Sequence, residues 1–251
     1  MKSQQLVAQQ FGNMAENYLT STVHAQGADL ERVQQLAMLE QPARMLDLGC
    51  GAGHVSFALA ASGGEVVAYD LSASMLEVVA RTAAERQLAN IRTFHGPVEA
   101  LPFEDASFDL VVTRYSAHHW LDMTSAMKEM YRVLKPGGKC IVIDVIAPET
   151  PLLDTVLQTV EILRDASHVR DYRVSEWQTM LENTGFKVHD HDSWKLPLAF
   201  ASWVKRIGTS EARIAALKAV FGDLPEEAKR YFQVAEDYSF VTDTAWLTAS
   251  K

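Results

Sequence analysis

The segment Arg44–Asp70, RMLDLGCGAGHVSFALAASGGEVVAYD, decides the fold. A short apolar run, Arg44–Leu48, leads into Gly49-Cys50-Gly51-Ala52-Gly53. The spacing after it predicts a helix over His54–Ser62, stopped by Gly63-Gly64. Glu65–Tyr69 reads as a second strand that ends at Asp70. Strand, glycines, helix and strand in that order form one unit of a parallel sheet. The order also presents bare backbone N–H groups and a helix amino terminus to a ligand.

The alternation continues in both directions. Ser72 or Ser74 opens a predicted helix that runs to about Gln87. Ile91–His95 and Phe108–Thr113 are the third and fourth strands, the latter almost wholly apolar, as in a strand buried on both faces. Asp122–Leu134 is amphipathic and ends at Lys135-Pro136-Gly137-Gly138; Lys139–Ile146 is the fifth strand. Upstream, residues 4–40 read as helical, broken near Gly27 and stopped at Pro42. Downstream, helices are expected over Leu152–Asp165, Ser175–Asn183, 210–221 and 225–236, and strands over Phe186–His191 and Tyr238–Thr248.

Composition is that of an ordinary globular chain: 251 residues, 48% hydrophobic, 22% charged. The net charge of −9 argues against nucleic acid as a bulk electrostatic partner, because phosphate binding needs clustered Lys and Arg. The two cysteines, Cys50 and Cys140, sit far apart in or beside apolar runs, so no disulfide framework is indicated. Cys50 reads as a small buried filler. The opening M-K-S-Q-Q-L-V-A-Q-Q has no apolar signal region, and no run is long enough to span a membrane. A cytoplasmic protein without membrane or nucleic-acid partners is expected.

The glycine loop discriminates among ligands. A dinucleotide fingerprint wants a further glycine where His54 stands, and a triphosphate loop wants Gly-Lys-Ser/Thr, which is missing. Instead Asp47 stands just before the loop and Asp70 ends the next strand. An anion at Asp47 repels phosphate and suits an ammonium; a carboxylate at Asp70 can accept both hydroxyls of a ribose. An adenosine with an amino-acid tail and no phosphate satisfies both, namely S-adenosylmethionine (SAM). The competing readings are a plain turn for the loop, a solvated acid for Asp47 and a helix cap for Asp70.

These residues resemble the class I SAM-dependent methyltransferases, and within them the UbiE-like group. D-L-S-A-S-M at 70–75 resembles the ribose-binding turn and the helix after it, with Leu71 and Met75 at the cofactor. G-P-V-E-A-L-P-F at 96–103 resembles the adenine loop. Pro97 stands where that loop often carries an acid, so adenine contact is expected from backbone around Val98 and from Glu99. F-D-L-V-V-T-R-Y at 108–115 and R-V-L-K-P-G-G at 132–138 resemble the fourth strand and the turn before the fifth. Y-S-A-H-H-W at 115–120, R-D-A-S-H-V-R at 164–170 and S-W-V-K-R-I-G-T at 202–209 are similar to bacterial YcgJ/YafE-type methyltransferases.

The resemblance implies an α/β fold: a Rossmann-like seven-stranded, mostly parallel sheet with helices on both faces. It implies one domain over 1–251. Residues 1–41 would form N-terminal lid helices, 42–147 the SAM-binding core, 148–237 a C-terminal helical cap with the sixth strand, and 238–251 the last strand. Asp47, Gly49, Gly51, Gly53, Asp70, Leu71, Met75, Val98, Glu99, Arg114 and Tyr18 are the expected cofactor residues. Tyr18 shares one face of the first helix with Phe11 and Ala15.

Methyl transfer needs alignment first and a base only for acceptors with a hard proton. His118 and His119, directly after the fourth strand, are the candidate bases, with His118 preferred; the alternative for either is packing. Arg164, His168 and Arg170, with Tyr115, are the expected substrate residues, the arginines holding an acidic group. Their alternative is ordinary surface pairing. No metal ligand set is evident. The expected activity is a SAM-dependent methyltransferase acting on a small molecule, releasing S-adenosylhomocysteine, as a monomer or homodimer. The alternatives are a SAM-binding protein or a SAM enzyme of another reaction, and, opposed by His54, an NAD oxidoreductase.

Overall fold

The computed structural model describes residues 5–7, 10 and 27–251. The predicted helix over 4–26, with Phe11, Ala15 and Tyr18, lies outside the described residues except for helical turns at 5–7 and 10. Five strands run parallel: β1 (Arg44–Leu48), β2 (Glu65–Asp70), β3 (Ile91–His95), β4 (Phe108–Arg114) and β5 (Leu134–Ile146). β6 (Lys187–Leu198) and β7 (Phe240–Ser250) complete a sheet of order β3-β2-β1-β4-β5-β7-β6, in which β7 is antiparallel to both its neighbours. β1 therefore pairs with β2 on one side and β4 on the other. The chain winds outward to β3, then returns across β1, and this reversal opens a crevice at the carboxyl ends of β1 and β4.

The strands alternate with α1 (Ala28–Glu40), α2 (His54–Ala60), α3 (Ala73–Glu85), α4 (Met123–Val133), α5 (Pro151–Arg164) and α6 (Val174–Thr184). Period-two alternation splits each central strand between two cores. Met45, Leu110, Val112, Ile141 and Ile143 face α1 and α2 through Val33, Ala37 and Leu59. Leu46, Val111, Cys140 and Val142 face the other way, onto Met127 and Met130 of α4 and Trp177 of α6. Local chemistry sets the helix starts: Ser72 Oγ accepts the Met75 N–H, and Asp122 Oδ1 accepts the Ser125 N–H at 3.0 Å.

A third apolar cluster joins α5 to α7 (Phe200–Arg206), α8 (Glu211–Asp223) and α9 (Glu226–Tyr231). Its centre is Leu157, Trp203, Leu217, Phe221 and Phe240. Three elements here differ from the sequence reading. α9 ends at Tyr231, short of the expected 236. β6 continues seven residues beyond the expected His191, and α7 was not anticipated. β6 is an edge strand, mostly exposed, so its H-D-H-D run and Pro197 carry no apolar alternation. α7 is too short to establish a period, although Phe200, Trp203 and Val204 are all buried.

Candidate active site

β1 delivers the glycine loop to the crevice. Gly49 N–H and Cys50 N–H both donate to Tyr69 O, at 2.8 and 3.0 Å, which ties the loop to the end of β2. Gly51 has φ +50°, and a Cβ placed there would meet no atom within 4 Å, so its bare backbone faces open space. Its N–H donates to Asp70 Oδ2 at 2.8 Å, while Ser72 N–H donates to Asp70 Oδ1 at 2.8 Å. Burial raises the Asp70 carboxyl above its ordinary range, and these N–H donors hold it back. Asp47, 1% exposed, accepts the Ser56 hydroxyl at 2.6 Å on Oδ2. Burial pushes Asp47 up to about 7 against that hydrogen bond. Asp47, Gly49, Gly51, Asp70, Leu71 and Met75 all line one cleft of about 1000 Å³, its open mouth included.

Gly53 stands apart from the lining. A Cβ there would meet Val79 Cγ2 at 2.9 Å and Phe57 Cζ at 3.0 Å, so its φ of +88° serves close packing of α2 and α3. The opposite wall of the cleft holds Val98 and Glu99, with Pro97 O accepting the Tyr69 hydroxyl at 3.1 Å. Arg114 joins the lining while held in a buried ion pair, Nε to Asp29 Oδ2 at 2.5 Å, under 4.6 Å of stacking on Tyr115. Tyr115 adopts φ +50°, a left-handed conformation unusual for so bulky a residue, and this turns the chain at the end of β4. The 3-10 turn Ala117–His119 follows.

That turn separates the two histidines. His119 lines the cleft beside Tyr115, Ser116, Trp120 and Leu121; His118 lies outside the lining. His118 Nδ1 sits 2.7 Å from Asp144 Oδ1. Burial opposes charge on His118, but the Asp144 carboxylate outweighs it and holds the imidazole up to about 9. Burial, and next the charge of His118, drive His119 down to about 4. The sequence reading preferred His118; in the structure His119 is the ring that lines the cleft and His118 stands behind it.

The expected basic substrate set is not assembled either. Arg164 Nε donates to Trp203 O at 3.2 Å and Nη1 pairs with Glu161 at 3.5 Å, inside the α5–α7 packing. His168 is buried, with Nε2 3.1 Å from Gln158 Oε1. Arg170, half-buried, pairs with Asp154 and Glu176 at 3.1 and 3.2 Å. None of the three lines the cleft. Sequence reasoning missed Ser116, whose Oγ accepts the Trp120 indole N–H at 3.2 Å, and Asp144. Asp144 had a signal: an acid inside the apolar run I-V-I-D-V-I.

With this geometry in place, comparison with known proteins is specific. The methyltransferase domain family matches residues 46–142, from β1 into β5. The chain is 46% identical over 203 residues to the uncharacterized protein YafE of Escherichia coli K12, over 81% of this chain and 98% of YafE. It is 37% identical over 222 residues to the uncharacterized methyltransferase YcgJ of Bacillus subtilis 168, over 88% of each. The crystal structure of YcgJ aligns at a TM-score of 0.83 and 33% identity, over 88% of this chain and 98% of that one. A putative methyltransferase from Bacillus halodurans C-125 aligns at 0.85 and 32% identity, over 90% and 99%. The chain belongs to the class I SAM-dependent methyltransferases.

The cofactor of a class I methyltransferase fits the residues present. The space beyond Gly51 accepts a ligand against bare backbone. Asp47 is a desolvated carboxylate at the cleft with no cationic side chain hydrogen-bonded to it among the described residues, which suits the ammonium of SAM. Asp70 spends one lone pair per oxygen on the loop and keeps others for hydroxyls. Val98 and Met75 supply apolar walls. No group of three or more His, Cys, Asp or Glu fit to hold a metal ion occurs among the described residues.

Proposed function

We propose that this methyltransferase carries a methyl group from SAM to a small-molecule acceptor by in-line displacement at the sulfonium carbon. The observation that carries the reading is the continuity of one cleft, from Asp47, Gly51 and Asp70 at one end to Tyr115, His119 and Trp120 at the other. Bound SAM supplies an electrophilic methyl group and a good leaving group. The protein's residues do the rest. Asp70 accepts the ribose hydroxyls, Asp47 meets the ammonium, and Gly49 and Gly51 give backbone approach. Val98 backbone and Glu99 face the adenine, flanked by Leu71 and Met75. Arg114, fixed on Asp29, holds the wall at which Tyr115 turns toward the acceptor.

His119 is the group that takes a proton from an acceptor needing it. Its Nδ1 faces Ser167 O at 3.1 Å, and a carbonyl only accepts, so Nδ1 carries a hydrogen and Nε2, 3.9 Å from Asp165 Oδ2, is the atom that titrates. We assign residues 1–41 as a lid, 42–147 as the SAM-binding core, and 148–237 with 238–251 as a cap and closing strands within one domain. The acidic balance and two unpaired cysteines support a cytoplasmic protein without nucleic-acid partners. No helix among the described residues is long and apolar enough to cross a membrane.

Incubation with methyl-labelled SAM and the small-molecule fraction of a bacterial extract tests the reading. Label is expected in a low-mass product, dependent on His119 where the acceptor is a carbon or oxygen acid. Saturable SAM binding with no labelled low-mass product, or label confined to macromolecules, overturns it.

A further inference from the structure

Three imidazoles stand together behind the acceptor end of the cleft. Ring centroids lie 4.3 Å apart for His118 and His119, 5.8 Å for His118 and His168, and 6.5 Å for His119 and His168. Charged groups press on them from every packed element. β5 contributes Asp144, α5 contributes Glu161 and Arg164, and the segment after α5 contributes Asp165 and Asp171, all buried. Three adjacent imidazolium charges in so small a buried volume would repel strongly. The hydrogen bonds fix which ring nitrogens carry a hydrogen and which ring meets a carboxylate at short range.

Gln158 Nε2 donates to Asp171 O at 2.8 Å and to Asp154 Oδ1 at 3.0 Å, so its Oε1 is an acceptor. His168 Nε2 must then be the donor to that oxygen at 3.1 Å, and its Nδ1 has no partner among the described residues. A buried bare nitrogen belongs to a neutral ring. His119 donates Nδ1–H to Ser167 O. Among the described residues, His118 Nδ1 meets Asp144 Oδ1 at 2.7 Å, whereas His119 Nε2 and His168 Nε2 stand 3.9 and 3.8 Å from Asp165 Oδ2 and Asp171 Oδ2. Asp144 is itself over-determined: Oδ1 also accepts Val145 N–H at 2.9 Å, and Oδ2 accepts Ala117 N–H at 3.0 Å, at the head of the 3-10 turn.

We propose that the Asp144–His118 ion pair is a positioning device for His119. The carboxylate fixes the turn that aims His119 into the cleft, and the imidazolium tilted against it at 55° disfavours a second charge on His119, leaving Nε2 as the acceptor atom. The proton of the cluster is thereby parked on the ring that does not line the cleft. The sequence of pKa directions agrees: His118 is raised and His119 and His168 are lowered, the latter two by burial first and then by the charge of His118. Asp171 and Glu161 add to the field on His118 only in their ionised forms, and burial raises both carboxyls. The device rests on the proposed chemistry only for the use made of Nε2.

NMR titration of the histidine ring signals tests it without any acceptor, on the wild type and on His118→Gln and Asp144→Asn. In the wild type, His118 should keep imidazolium shifts up to pH 8, and His119 the shifts of a neutral Nδ1–H ring down to pH 5. In His118→Gln, whose amide can still donate to Asp144, the His119 midpoint should rise by about one unit or more, with SAM affinity unchanged. Asp144→Asn should bring His118 down into the neutral range and raise His119 likewise. A wild-type His118 that titrates near 6.5, or a His119 midpoint that stays put in a folded His118→Gln, overturns the proposal. Failure of the labelled-methyl experiment with these titrations intact would refute the acceptor chemistry and leave the pair's role standing.

Discussion

Asp47 accepts the Ser56 hydroxyl at 2.6 Å while forming part of the cleft floor at 1% exposure. Burial raises this carboxyl to about 7, opposed by its hydrogen bonds to Ser56. A cation entering the cleft favours the ionised form, so its binding must displace a proton wherever Asp47 is still protonated. SAM affinity should therefore rise between pH 5 and pH 7, by up to about tenfold per unit, with proton release below neutrality. Calorimetry in buffers of different ionisation enthalpy reads both quantities. Asp47→Asn should weaken binding and flatten the profile. Dissociation constants that agree within a factor of about two at pH 5.5 and 7.5 would remove Asp47 from the ammonium site.

Gly51 and Gly53 should fail in different ways. Both hold left-handed φ, so any side chain costs about 1–2 kcal/mol of backbone strain. At Gly51 nothing else is touched, and a branched side chain fills only the space a ligand would use. Gly51→Val should thus lose SAM binding while thermal unfolding shifts only modestly. At Gly53 a Cβ runs into Val79 and Phe57, so Gly53→Val should lower the melting temperature further. Normal SAM binding by Gly51→Val would reduce the loop to a plain turn.

Asp70 anchors two loop N–H groups and, on the proposed reading, two hydroxyls. Bonds to a charged acceptor contribute roughly 1.5–3 kcal/mol each at most. Asp70→Ala should raise the SAM dissociation constant at least about tenfold, and NAD should show no saturable binding to the wild type. Retained affinity within about twofold would exclude Asp70 as a ribose ligand.

β1 to β4 and the helices between them were readable within a few residues, because glycine stops, Ser and Asp caps and two-sided apolar strands are local signals; β5 begins at Leu134, so Lys135-Pro136-Gly137-Gly138, expected as a turn, belongs to the strand. The placement of Asp47 and Asp70 at the cleft was readable for the same reason: they are contiguous with the glycines or with the strand beside them. The substrate set was not. Arg164, His168 and Arg170 satisfy themselves on Trp203 O, Gln158, and Asp154 with Glu176, most of them residues of other elements. Only tertiary packing shows that these side chains are already engaged. Which of His118 and His119 lines the cleft was not legible either, since a single 3-10 turn sets the directions of two adjacent side chains.

The charged state of His118 also leaves a mark on stability. Its folded pKa, about 9, lies above the unfolded value near 6.5. Burial opposes this shift, and the Asp144 carboxylate more than offsets it. A raised histidine pKa stabilises the fold fully below the unfolded value, and that stabilisation is lost as pH rises through the folded one. Other buried acids and thiols titrate over parts of this range, so the comparison has to be a difference between two proteins. The stability of wild type minus His118→Gln should be largest near pH 6.5 and shrink steadily toward pH 9.5, by an amount of order 3 kcal/mol. Urea unfolding at half-unit pH steps measures it. A difference that stays flat from pH 6.5 to 9.5 would mean that His118 is neutral in the fold, and the charge on the Asp144–His118 pair would have to be given up.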